Sequence, residues 1–91
     1  MTIEEVNALR ERFKYCGYNR EGLEKYTHPK SGETIYTEFL RIKEWDDSYT
    51  SVGFINYKHK TISPVHGYYK PNPVGKSLER LAKKVGFKYS E

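Results

Sequence analysis

Apolar residues recur at helical spacing only near the two ends of this chain, and the stretch between them alternates as strands do. That change of period limits the fold to helices flanking a sheet. Val6, Leu9, Phe13 and Cys16 follow one another at three- and four-residue steps, which is one face of a helix. Thr2 and Glu5 frame that helix with a capping box, and Gly17 is placed to end it, so the spacing predicts a helix over residues 3 to 16. Toward the other end, Asn72-Pro73 supplies an N-cap and a first-turn residue. Val74, Leu78, Leu81 and Val85 then form a single stripe closed by Gly86.

Between the helices, residues 23 to 28 read as a short strand, and Pro29-Lys30-Ser31-Gly32 as a reversal. Residues 34 to 45 are rich in β-branched and aromatic side chains, with Ile35, Thr37 and Phe39 on one side and Tyr36, Leu40 and Ile42 on the other. A turn at Asp46-Asp47-Ser48 leads into a third strand over residues 49 to 62, where Gly53 marks a bulge. Two prolines, a glycine and the pair Tyr68-Tyr69 make residues 63 to 71 a structured loop. The predicted architecture is one α+β domain over residues 1 to 91, ordered α-β-β-β-α, with a three-stranded antiparallel sheet and both helices packed on one face.

At 91 residues the core is a thin layer, with only about 60–65% of the chain's surface buried on folding. Apolar residues make up only 36% of the chain, yet nine tyrosines and four phenylalanines in periodic runs argue for a folded, soluble domain. A single cysteine, Cys16, excludes an internal disulfide framework and points to a reducing, cytoplasmic setting. The opening residues lack a cationic segment followed by an apolar run, and no stretch is long and apolar enough to span a bilayer, so neither export nor a membrane is expected. His28, His59 and His66 have no recurring metal-ligand spacing, and neither a metal nor a cofactor is expected. Gly75-Lys76-Ser77 ends like a phosphate-binding loop, but the required upstream glycine is replaced by Lys70.

Charge is distributed very unevenly. From residue 58 onward there are eight basic and two acidic side chains, a net +6, against eight basic and ten acidic before it, a net −2. Clustered cations of this kind attract polyanions. On a helical wheel Lys76, Arg80, Lys83 and Lys84 centre roughly 150° from the apolar stripe, so packing the stripe inward turns them outward. Lys58, Lys60 and Lys70 extend the track, and Tyr68 and Tyr69 are candidates for stacking on bases. A solvated lysine face that merely keeps the helix in water is the competing reading of the same pattern.

The order of elements with a basic last helix is similar to the double-stranded-RNA-binding fold, whose second helix sets lysines against phosphates; Gly75-Lys76-Ser77 and Ala82-Lys83-Lys84 carry the likeness. Gly17-Tyr18, the segment from Tyr26 to Gly32 with its His-Pro turn, and Gly75-Lys76-Ser77-Leu78-Glu79-Arg80-Leu81 also resemble HicA-type mRNA interferase toxins. That family carries a catalytic histidine shortly after a glycine, where this chain has Gly22-Leu23-Glu24-Lys25. The resemblance therefore implies a shared fold without cleavage.

Three functions follow as expectations. The first is a non-catalytic RNA-binding protein using Lys58, Lys60, Tyr68, Tyr69, Lys70, Lys76, Arg80, Lys83 and Lys84, with RNA or another polyanion as partner. A second is a protein-interaction module, an inhibitor or accessory subunit or a homodimer, because the long hairpin has more apolar and aromatic surface than two helices on one side can cover. Third is a ribonuclease with an altered site, in which His28 or His59 would be the base.

Overall fold

Thr2 caps the first helix as its sequence predicts. In the computed structural model, which describes residues 1 to 91, the Thr2 Oγ1 accepts from the Glu5 N–H and Glu5 Oε1 accepts from the Thr2 N–H, both at 3.2 Å. The helix α1 (Ile3–Arg10) is shorter than expected and tightens into one 3-10 turn (Glu11–Phe13). Phe13 still reaches the core, while Cys16 lies beyond the helical residues. Five strands and a second helix follow, namely β1 (Asn19–Thr27), β2 (Thr34–Lys43), β3 (Tyr49–Asn56), β4 (Thr61–Pro64), α2 (Pro73–Val85) and β5 (Lys88–Tyr89).

The strands form one sheet in the order β1-β2-β3-β4-β5, antiparallel except for the parallel pair β4 and β5. The α+β class and single domain stand, but the three-stranded sheet is corrected to five strands in a mixed sheet. The long third strand breaks at residues 57 to 60, where Lys60 adopts a left-handed φ of 52° and the Asn56 Oδ1 accepts from the His59 N–H. No glycine or proline marks that turn, so alternation reads straight through it. β5 has two residues, too few to show a period, and Phe87 just before it is buried. The β2–β3 ladder does slip beside Gly53, with Leu40 opposite Gly53 and Arg41 opposite Ser51, leaving Val52 as the extra residue.

Both helices pack on the same sheet face. Val6, Leu9 and Phe13 from the first helical segment and Leu78, Leu81, Ala82 and Val85 from α2 join Leu40, Ile55, Tyr57 and Ile62 in one buried cluster. In β2 the inward residues are Tyr36, Glu38 and Leu40, so Ile35, Thr37 and Phe39 look out from the opposite, uncovered face.

Two glycines let α2 approach closely enough to seal this core. A Cβ at Gly53 would lie 3.0 Å from the Leu78 Cδ2, so Leu78 rests directly on the β3 backbone. At Gly75 a Cβ would come within 2.6 Å of the Tyr68 carbonyl oxygen and 2.7 Å of the Lys70 nitrogen, neither of which can yield as a side-chain tip can. Alanine is the better helix former by about 1 kcal/mol, yet Gly75→Ala is expected to lower stability by about 1–3 kcal/mol through overpacking. Chemical denaturation checks this, and a more stable variant would show that α2 is not seated by backbone contact at Gly75.

Candidate nucleic-acid interface

The rotation of α2 about its axis decides where its cations point. Asn72 caps it, with Oδ1 accepting from the Val74 N–H at 2.8 Å, and no acidic residue occupies the first turn. On one flank the Tyr18 hydroxyl and Ser77 Oγ are hydrogen-bonded at 2.7 Å. The other flank is fixed by Glu79, which pairs with the Lys70 ammonium at 2.7 Å. With α-helical steps of about 100° per residue, Lys84, Arg80, Lys76 and Lys83 fall in that order across the outward arc between Ser77 and Glu79. All four are exposed, and none enters an ion pair or a side-chain hydrogen bond. The helix thus presents a ridge of cations without direct ion-pair partners. Lys83 and Lys84 also sit in the last turn, where the helix dipole favours cations.

The remaining expected contacts are distributed differently. Lys58 is half-buried and paired with Glu33, whose carboxyl is held below its usual range chiefly by that bond. Lys70 lies between two carboxylates. Its ammonium binds Glu79, its backbone N–H donates to Glu91 Oε1 at 3.0 Å, and its Nζ stands 5.3 Å from the centre of the Tyr89 ring. The bond to Glu79 raises the Lys70 pKa, and the Glu91 carboxyl is lowered first by the Tyr89 hydroxyl and then by the Lys70 N–H. The Lys70 ammonium is consequently neutralised within the chain. Tyr68 is half-buried, with its backbone against Gly75, whereas Tyr69 is exposed and meets His66 edge-on at 5.8 Å.

Lys60 is exposed at the tip of the β3–β4 turn and lines a pocket of about 250 Å³ with Arg12. Arg12 donates from Nη1 to the Val85 carbonyl at 3.0 Å, and Lys88 donates its N–H to the Lys60 carbonyl at 2.8 Å. Arg12, Lys60 and Lys88 therefore gather around the C-terminal end of α2, beside the turn that carries Lys83 and Lys84. Arg12 was invisible to sequence reading because it meets Val85 across 73 positions of chain. Local periodicity holds no signal for such a contact.

The histidines are placed as turn residues. His28 Nδ1 accepts from the Lys30 and Ser31 N–H groups at 3.2 and 3.3 Å, which occupies the lone pair of that nitrogen within its own turn. His59 and His66 are exposed. No group of three or more His, Cys, Asp or Glu residues is arranged to hold a metal ion, and no helix is long and apolar enough to cross a membrane.

Beneath α1 lies the most deeply buried charge. Glu38 is 1% exposed, yet its Oε1 accepts from the Tyr57 hydroxyl at 2.6 Å and its Oε2 from Arg10 Nη2 at 3.1 Å, with Arg10 Nε at 3.4 Å from Oε1. Tyr57 is fully buried against Phe13 and Phe87, each ring 6.2 Å away and edge-on. Burial, reinforced by the Glu38 carboxylate, raises the Tyr57 pKa well above its ordinary value.

Comparison with known proteins gives no match, whether to a protein-family model, a curated protein or a solved structure.

Because folded Tyr57 holds its proton more tightly than the unfolded chain does, its contribution is complete below about pH 10 and declines above it. Tyr57→Phe is expected to cost about 1–3 kcal/mol at pH 7, since the buried carboxylate loses a donor. That deficit should shrink by up to about 1.4 kcal/mol per pH unit above 10. Urea unfolding of both proteins at pH 7, 10 and 11 tests this, and a constant difference would mean that the phenol is not held neutral by the fold.

Proposed function

We propose that this protein is a small non-catalytic RNA-binding protein that grips phosphates with the outer ridge of α2. The observation that carries this reading is the clustering of exposed, unpaired cations on one helix face. Only Arg10, Arg41, Lys43, Lys58 and Lys70 have carboxylate partners within the chain, and of the cations without one, Lys76, Arg80, Lys83 and Lys84 share the outward arc of a single helix. Four cations on 13 residues of helix, with Lys76 close to the partly positive N-terminal end, repel one another unless an external anion intervenes. A polyphosphate backbone supplies such an anion at regular intervals.

Lys60 extends the ridge at the C-terminal end of α2, and Tyr69, exposed beyond the other end, is the better placed of the two tyrosines for stacking on a base. Lys58 and Lys70 join only by exchanging an internal carboxylate for a phosphate. The likeness to the double-stranded-RNA-binding fold fits this use of the last helix, and the His28 Nδ1 lone pair is engaged within its own turn. A reducing cytoplasm is the setting that the lone Cys16 suits.

Fluorescence anisotropy with mixed-sequence RNA between 50 and 200 mM salt tests the ridge. Replacing Lys76, Arg80, Lys83 and Lys84 together by Gln is expected to weaken binding and to flatten the plot of log affinity against log salt by about three units, at about 0.7–0.9 per phosphate contact. An unchanged slope removes α2 from the interface.

One observation favours a second use of the molecule, as a docking or self-associating module. The sheet face away from the helices carries the cross-strand pair Phe39 and Phe54, with ring centres 5.3 Å apart, and the exposed Tyr26 and Tyr49. Its cations are already matched, Arg41 to Glu21 and Lys43 to Asp47, which suits a protein surface better than a polyanion. Sedimentation at two protein concentrations should reveal a dimer that Phe54→Lys dissociates. A monomer at every concentration would remove self-association through this face.

A further inference from the structure

A second cationic site lies away from α2, where α1 crosses the start of β1. Arg10, Lys14 and Arg20 line a cleft of about 500 Å³ together with Asn7 and Glu11, and no apolar side chain contributes to its wall. Two of the cations are held in place by the fold. Arg10 is clamped by Glu38 through two nitrogens, and Arg20 Nη1 donates to the Arg10 carbonyl at 2.7 Å. The Lys14 side chain has no hydrogen bond or ion pair, and its Nζ lies 5.8 Å from the centre of the highly exposed Tyr15 ring.

The charges in this cleft do not balance. Three cations face two carboxylates, and Glu38 is shared with the Tyr57 hydroxyl and sealed beneath Arg10, out of reach of Lys14 and solvent. Arg10 Nη1 has only a 3.5 Å contact with Asn7 Oδ1, and the Arg20 guanidinium keeps N–H groups beyond the one bound to the Arg10 carbonyl. A rigid, doubly held guanidinium with donors to spare, a second beside it and a free ammonium at the rim form a preorganised receptor for an oxyanion. A structural clasp between α1 and the sheet would need Arg10 and Glu38. It would not need Lys14 or a wall without apolar side chains.

We propose that the Arg10, Lys14 and Arg20 cleft binds a phosphate group, carried either by a free small anion or by the end of a polynucleotide. None of its residues belongs to the α2 ridge, so the proposal stands or falls separately from the RNA-binding reading. The test uses the full chain and the ridge variant in which Lys76, Arg80, Lys83 and Lys84 are Gln. Titration calorimetry with inorganic phosphate, against chloride at matched ionic strength, should show binding by both proteins. Lys14→Glu, a change at an unbonded surface residue that leaves folding intact, should bind phosphate at least about tenfold more weakly.

The source of the phosphate is read from the ridge variant with one oligoribonucleotide in 5′-phosphorylated and 5′-hydroxyl forms. Tighter binding of the phosphorylated form than of inorganic phosphate supports the site with a polynucleotide end as its ligand. Equal or weaker binding than inorganic phosphate supports it with a small anion. Absence of phosphate binding by the full chain, or undiminished binding by Lys14→Glu, overturns the proposal.

Discussion

Everything outward about this protein depends on how α2 is seated. Gly75 lies against the backbone of residues 68 to 70, and Leu78 presses on Gly53, so the helix cannot roll without a collision. Burial of Leu78, Leu81 and Val85 contributes about 1.5–3 kcal/mol per side chain to that arrangement. Tyr18 with Ser77 and Lys70 with Glu79 then mark the two limits of the outward arc. The four cations between them are exposed because the apolar stripe leaves no other orientation.

Charge in this molecule is handled in two ways. Some cations near the sheet are matched: Arg10 by buried Glu38, Arg41 by Glu21, Lys43 by Asp47 and Lys58 by Glu33. Desolvating Glu38 costs several kcal/mol, and only the combined donors of Arg10 and Tyr57 make its burial tolerable. That clasp ties α1 to the inner sheet face while leaving Arg10 with donors facing solvent. On α2 no carboxylate except Glu79 is present, and Glu79 is already engaged by Lys70. Four unmatched cations are therefore gathered on one helix, and Lys14 and Arg20 stand together in one cleft.

Much of this was legible from periodicity. Thr2 and Glu5, Asn72 and Pro73, and the stripe from Val74 to Val85 define both helices because caps and helical spacing are local signals. Alternation also sorted Phe39 from Leu40 correctly, although only tertiary packing determines that the helices cover Leu40. The turn at residues 57 to 60 was hidden because Lys60 occupies a conformation usually given to glycine, and β5 because two residues have no period. Ion pairs were beyond reach for a different reason. Glu33 with Lys58 and Arg10 with Glu38 join positions 25 and 28 apart, and composition records their charges without their distances. The +6 of the C-terminal third therefore overstated the cations free to meet a ligand and overlooked Arg10, Lys14 and Arg20, which lie in the net-acidic part of the chain.

Amide chemical-shift mapping of the full chain titrated with RNA is the most direct test of the claim that α2 carries the interface. The account predicts that the largest perturbations fall on Lys76, Arg80, Lys83 and Lys84, continue to Lys60, and leave Phe39 and Phe54 unmoved. Perturbations centred on the strands that carry Phe39 and Phe54, with α2 silent, would contradict it.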